Sequence, residues 1–250
     1  MKRFYQTVTI VDAGVEAGIN AGVEAGDSFG IMLDGRPVRT PERRPFAVPT
    51  RALAQEIRAE WQAQSGQIDP ATMPLTQFTN VVIDRIAVTP DPVQAELVAY
   101  GGSDLLCYRA EAPDTLVRRE AQAWDPLLGW AADTVGARLT VTSGIMHSHQ
   151  PASALQAFKT YVARLSAFEL TGVRAAAGHL GSLVLALALH AGRLDAVSAH
   201  AAATIDEAYQ IERWGADSEA ATRQAAILAE LEQIERFLRA LRPSTPPLAG

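Results

Sequence analysis

Cysteine and lysine are nearly missing from this sequence: there is one cysteine, Cys107, and only Lys2 and Lys159 among 22 basic residues. A lone cysteine forms no internal disulfide, so a reducing compartment is expected. Flanked by Leu106 and Tyr108, Cys107 reads as a small buried hydrophobe. So few lysines leave little material for a phosphate-loop lysine, a Schiff-base lysine or a polybasic membrane patch. Positive charge is in deficit as well. The 22 basic residues face 28 acidic ones, a net charge of −6 at pH 7 with a pI near 5.4. Nucleic acid is therefore not an expected partner. Long apolar runs are absent too: the most apolar stretch, Leu180 to Ala191, contains Gly181, Ser182 and His190 and falls short of the roughly 20 residues that span a bilayer. It reads as a buried helix, and no membrane insertion is expected. Met1 to Tyr5 show no apolar or Arg/Ser-rich leader, so the chain is expected to act in the compartment where it is made.

Catalytic signatures are equally scarce. There is no Gly-x-Ser-x-Gly elbow, no His-Glu-x-x-His helix, no dinucleotide-type glycine loop and no paired-cysteine spacing, so neither a cofactor nor a metal is expected. On a strand, His147 and His149 would share a face and could hold a metal with a third ligand, but the sequence indicates none, and a solvated loop is the expected reading. His179 and His190 lie in apolar helical sequence and read as hydrogen-bonded packing residues. His200, between Ala199 and Ala201, suggests nothing more.

What remains is a chain of 250 residues, 48% hydrophobic and 20% charged, long enough for one large or two small domains. Residues 1–90 hold 11 alanines and residues 91–250 hold 34, with a Thr89-Pro90-Asp91-Pro92 break at the change. That places a first domain at 1–90, a second at 91–242 and a disordered tail at 243–250. In the first, Phe4 to Val11 and Ser28 to Leu33 alternate like strands, and Asp34-Gly35 is a hairpin dipeptide. The intervening Ala13 to Gly26, with glycine at every fourth position, reads as a flexible insertion. Thr50 caps a helix carrying Leu53, Ile57 and Trp61, and a second helix is expected from about Leu75 to Ile86. After Pro92 everything reads helical. Leu116, Glu120 and Trp124 belong to one segment and Leu127, Leu128 and Trp130 to the next, with Pro126 as a kink or a new first turn. Further helices are expected at 151–165, 169–190, 195–214 and 217–241, the last with a stripe of Ala221, Ala225, Leu228, Leu231, Ile234 and Leu238. The fold class is α+β: a small N-terminal antiparallel sheet with two helices, then an all-α domain.

One polar stretch stands out, Asp206 to Gly215. On a helix, Glu207 and Ile211 share a face with Trp214 nearby, a carboxylate beside aromatic and aliphatic surface. Such a face suits an Arg-bearing partner, since charge sets register and the ring supplies burial. An ordinary amphipathic helix with Trp214 in the core is the alternative. Trp61, Trp124, Trp130 and Trp214 all fall on expected helices, and an exposed one would signal a docking surface.

Eight strings, in order along nearly the whole chain, resemble one family: the F-type ATP synthase assembly chaperones that act on the alpha subunit, often called the ATP-twelve family. They are KRFY at Lys2 to Tyr5, LDGRPVRTP at Leu33 to Pro41, AEW at Ala59 to Trp61, MPLT at Met73 to Thr76, Ile83-Asp84, SDLLCYR at Ser103 to Arg109, WDPLLGW at Trp124 to Trp130 and EAYQIERWG at Glu207 to Gly215. The resemblance implies an assembly factor with a small α+β domain and a helical domain. It implies binding of the free alpha subunit until the beta subunit replaces it, with no nucleotide required and no enzymatic activity. The acidic residue most tied to function in this family falls on Glu207, and Tyr209, Gln210, Glu212, Trp214 and Gly215 complete the implied partner-binding set. A bacterial cytoplasm is the expected location, with eukaryotic relatives in the mitochondrial matrix. Two departures stand out, the 13–26 insertion and the sparse acidic run of Ala216 to Glu219. Two other functions fit the residues: an enzyme using Glu207, Glu212 and a histidine as acid and base in a deep pocket, or a helical adaptor without chaperone activity.

Overall fold

An apolar central strand, Phe29 to Leu33, organises the first sheet. Strand β1 (Val8–Asp12) pairs antiparallel with β2 (Phe29–Leu33), Val8 opposite Leu33 and Asp12 opposite Phe29. Asp34 and Gly35 both take positive φ, 47° and 76°, the combination a two-residue hairpin needs, and lead into β3 (Arg36–Pro37); β4 (Ala47–Val48) also pairs with β2. The Asp34 carboxylate accepts from the amides of Gln6 and Thr7 and from the Thr7 hydroxyl, tying the turn to the chain entering β1. Only the second half of the Phe4 to Val11 stretch is strand. A computed structural model of the chain describes residues 2–12, 28–144, 146–215 and 217–242; the 13–26 insertion and the 243–250 tail of the sequence reading lie outside the described residues.

Contacts divide the chain into two compact units, residues 1–90 with 236–250 and residues 91–235. In the first, helix α1 (Arg51–Ala63) starts at Thr50, whose side chain accepts from Leu53 N, and buries Leu53, Ala54 and Ile57. Helix α2 (Pro74–Val81) passes without a break into a wider π-type turn through Ile86. The buried Glu60 of α1 accepts from the amides of Leu75 and Thr76 at 2.7 and 2.8 Å and from the Thr76 hydroxyl at 2.7 Å. Amides in the first turn of a helix have no partner in their own helix, so Glu60 caps α2 from α1, and burial raises its pKa. Residues 236–242, assigned by composition to the second domain, cluster with the first unit instead. The reason is packing: Phe237 stacks on Phe78 at 5.2 Å, the Thr50 hydroxyl donates to Ala240 O, and Arg236 pairs with Glu56.

The second unit is helical. It comprises α3 (Asp91–Gly102), α4 (Asp114–Trp130), α5 (Ala152–Val162), α6 (Ala167–Leu180), α7 (Leu183–Ala191), α8 (Ala196–Ala203), α9 (Ile205–Trp214) and most of α10 (Ser218–Ala240). A two-residue parallel pair, β5 (Tyr108–Arg109) with β6 (Thr142–Ser143), is an addition that helical periodicity could not show. Three expectations need correction. Pro126 does not open a new helix, since α4 runs through it from Asp114 to Trp130, which leaves the kink of the two readings. The 169–190 helix is two helices, because Gly181 turns left-handed at φ 62° and Ser182 caps α7 by accepting from Leu185 N. The 195–214 helix breaks at Thr204, which leaves helical geometry at φ −115°, ψ 25° while its hydroxyl bonds back to His200 O. In α10 the expected stripe is buried only from Leu231 onward; Ala221 and Ala225 are exposed.

Gly101 shows how close α3 and α5 approach. A Cβ there would lie 2.6 Å from Cδ2 of the fully buried Phe158. Gly101→Ala is expected to destabilise the fold by about 1–3 kcal/mol from overpacking. Gly129→Ala on α4, where nothing lies within 4 Å, is expected to stabilise it by up to about 1 kcal/mol through helix propensity. Urea midpoints of the two variants, moving in opposite directions, check this.

Candidate docking face on helix α9

Helix α9 is polar on most of its circumference, and Tyr209 is its one buried residue. The Tyr209 hydroxyl lies 2.9 Å from Thr115 Oγ1 of α4, and the guanidinium groups of Arg119 and Arg213 sit over its ring at 5.4 and 5.0 Å. Arg119 of α4 also pairs with Glu212 at 2.8 Å, which raises the arginine pKa and lowers that of Glu212. Glu207, Gln210, Ile211 and Trp214 follow the i, i+3, i+4, i+7 spacing and share the opposite face. All four are exposed, Trp214 to 78%. The helix ends at Gly215, whose φ of 90° and ψ of 163° favour glycine. Of the residues singled out in the sequence, Glu207, Gln210 and Trp214 thus form a solvent face, Tyr209 and Glu212 hold α9 against α4, and Gly215 terminates the helix.

A second acidic residue on α9 has a different task, which sequence reasoning missed. Asp206 approaches Glu120 of α4, a residue with no solvent exposure whose carboxylate accepts from Ala110 N at 3.0 Å. Burial first, then the hydrogen-bonding and charge of Asp206, push Glu120 up to about 7. Nothing in the Asp206-Glu207 dipeptide tells the two acids apart until helix register turns one inward, about 100° from the other.

Trp124 is core, at 1% exposure, with Nε1 donating to Ala202 O at 2.8 Å and Arg109 stacked on its ring at 5.0 Å. Each helical histidine makes a polar contact: His179 with Glu230, His190 with Glu169 and His200 with Gln224. His147 and His149 pack edge to face at 4.9 Å, and His147 Nδ1 lies 3.0 Å from the Tyr108 hydroxyl. Among the described residues no three His, Cys, Asp or Glu side chains gather as metal ligands. No described helix is long and apolar enough to cross a membrane.

Residues 2–132 match the family model described as ATP12 chaperone protein. The chain belongs to the ATP12 chaperone family. That family serves ATP synthase assembly. The Schizosaccharomyces pombe protein atp12, mitochondrial, is 22% identical over 197 residues, 74% of this chain and 68% of that one. The crystal structure of Atp12 from Paracoccus denitrificans superposes with a TM-score of 0.88 at 43% identity, covering 96% of this chain and 98% of that chain. A crystal structure from Agrobacterium tumefaciens gives 0.86 at 39%, covering 96% and 86%. The α+β architecture is therefore that of the solved Atp12 structures.

In this ATP12-family chain, most of the eight strings act inside the fold. AEW reaches MPLT through Glu60, and the Thr40 hydroxyl of LDGRPVRTP donates to Asp84 at 2.6 Å. SDLLCYR reaches WDPLLGW through the Arg109–Asp125 pair at 2.8 Å. The string on α9 alone sets a contiguous apolar and acidic group in solvent.

The acids set the pH response. Ordinary Glu and Asp carboxyls give up their protons near pH 4.5 and 3.8, while Glu120 in the fold holds its proton to about 7 and the fully buried Asp104 to about 6. Stabilisation from these two is complete below the ordinary values and is lost as pH rises through the raised ones. Glu169, lowered to about 2 by its hydrogen bond to His190, acts oppositely: its contribution is present above pH 4.5 and lost as pH falls toward 2. Between pH 5 and 8 the chain is thus expected to lose stability, and Glu120→Gln to flatten that loss by up to about 1.4 kcal/mol per pH unit. Melting temperatures across this range check it; parallel profiles for the two proteins would refute the assignment.

Proposed function

We propose that this chain is an assembly chaperone that binds the free alpha subunit of the F-type ATP synthase catalytic sector and keeps it from self-associating until the beta subunit takes its place. The observation that carries the reading is the solvent face of α9, where Glu207 and Gln210 flank Ile211 and Trp214. An exposed tryptophan beside an aliphatic residue favours association, and a neighbouring carboxylate selects a basic client surface. A patch this small and this polar suits a complex that must later dissociate. By mass action, binding only the unassembled subunit lowers the concentration free to aggregate.

The reading needs no nucleotide and no catalytic group. Glu207 and Glu212, the acids of an enzymatic alternative, are both exposed, and among the described residues neither bonds to a histidine. That favours docking over acid–base chemistry. The working compartment on this reading is where the catalytic sector is assembled, the bacterial cytoplasm, with the mitochondrial matrix as the counterpart for the S. pombe relative.

Light scattering of freshly diluted alpha subunit, without nucleotide, tests the proposal. Suppression is expected from this protein and not from an unrelated acidic helical protein. Glu207→Lys and Trp214→Ala, both on exposed positions, are expected to keep the fold and to weaken client binding by about 2 kcal/mol each. Equal suppression by either variant would remove α9 as the docking face; none by the wild type would remove the chaperone reading.

A further inference from the structure

On the flank of α9 away from Trp214 lies a groove of about 880 Å³, enclosed by α4, α8 and the turn before α8. Its walls are mostly apolar, with Pro126 and Leu127 from α4, Leu194 from the turn, Ile205 from α9 and small alanines between them, and Gln122 and Ser198 add polar groups. Two arginines stand at its lining, Arg119 and Arg193. Arg119 carries Glu212, whereas the exposed Arg193 makes no side-chain hydrogen bond or ion pair among the described residues. The lining therefore offers one arginine without a partner among the described residues and a second held only by an exposed glutamate, although α9 itself presents acids outward.

We infer that this groove receives an apolar segment of the client subunit carrying an acidic side chain, which pairs with Arg193 and competes with Glu212 for Arg119. The inference rests on the chaperone reading and adds a second contact to it. Charge fixes the chemistry of the occupant: an apolar surface between two arginines, one without a partner, selects a carboxylate on an apolar segment. The Arg119–Glu212 pair is solvent-exposed, with both side chains near half exposure, and such pairs exchange readily in water. Glu212 thus occupies in the free protein the place of the client carboxylate. Ala208 lines the groove and directly follows Glu207 on α9, so one client surface can touch both the groove and the Glu207–Trp214 face. A basic element would meet Glu207 and an acidic apolar element would enter the groove.

The full-length protein, its variants and purified alpha subunit test this by titration in solution. Arg193→Glu, at an exposed position, and Ala201→Trp, which fills the groove from α8, are each expected to raise the dissociation constant roughly tenfold. Glu212→Gln, which frees Arg119, is expected to lower it by about threefold. Circular dichroism and melting temperature confirm that the variants fold. A photo-crosslinker at Ala208 is expected to capture a client peptide with an acidic residue beside an apolar run. Wild-type affinity in both Arg193→Glu and Ala201→Trp, or capture of a basic peptide, overturns the groove while leaving the chaperone reading intact. No binding by wild-type protein overturns the chaperone reading and the groove's occupant with it.

Discussion

Helix α7 is apolar on every side, and the second unit is arranged around the need to enclose it. Residues Leu183 to Leu189 are all buried, so no face of α7 can meet water, and α3, α4, α6 and α8 pack around it. Apolar enclosure is nondirectional and cannot by itself fix where such a helix begins. Asp104 supplies that direction. Its carboxylate, without solvent exposure, accepts from Ser182 Oγ, Val184 N and Leu106 N, pinning the start of α7 to the end of the α3 connection. A buried carboxylate is tolerated only with such partners, so the core and this fixed polar point depend on each other.

The same device recurs. Glu60 caps α2 from α1, Asp104 caps α7, and Glu120 takes the amide of Ala110 while meeting Asp206. Each lies in a different part of the chain, and each uses a carboxylate to satisfy backbone donors at the end of an element. This accounts for conspicuous polar residues in otherwise apolar surroundings without assigning them to catalysis. It also explains why a sequence with so few lysines folds with few buried ion pairs: the acids are answered by amides and hydroxyls, which hydrogen-bond without placing a second charge in the interior.

Periodicity carried helices such as α1 and α4, which bury a stripe, and turn chemistry carried the hairpin because Asp34-Gly35 takes positive φ at both positions. Breaks inside apolar sequence were harder. Gly181 divides α6 from α7 between Leu180 and the capping Ser182, and apolar sequence resumes at Leu183, so the hydrophobic pattern continues across a two-residue break at which the backbone turns. Thr204 divides α8 from α9 through a hydroxyl bond to His200 O, which threonine also makes inside unbroken helices. The β5–β6 pair joins residues more than 30 apart and leaves no local period. On the candidate site, the EAYQIERWG string falls on one helix, as its spacing suggests, but the division of its side chains between solvent and the α4 contact depended on the break at Thr204, because that break resets the face each residue presents.

Helix α9 has ten residues and buries one, too little to be stable alone or to add much to the core. It is held by polar contacts with α4 through Tyr209 and Thr115, Glu212 and Arg119, and Asp206 and Glu120. A helix fastened this way keeps its remaining positions free of packing demands. An exposed tryptophan then carries only its solvation penalty in the free protein, and that penalty is recovered when a partner covers it. The arrangement that makes α9 a weak contributor to folding is therefore the one that, on the proposed docking reading, would suit it to grip and release a client: its seat on α4 is set within the chain, and its outer face stays in solvent.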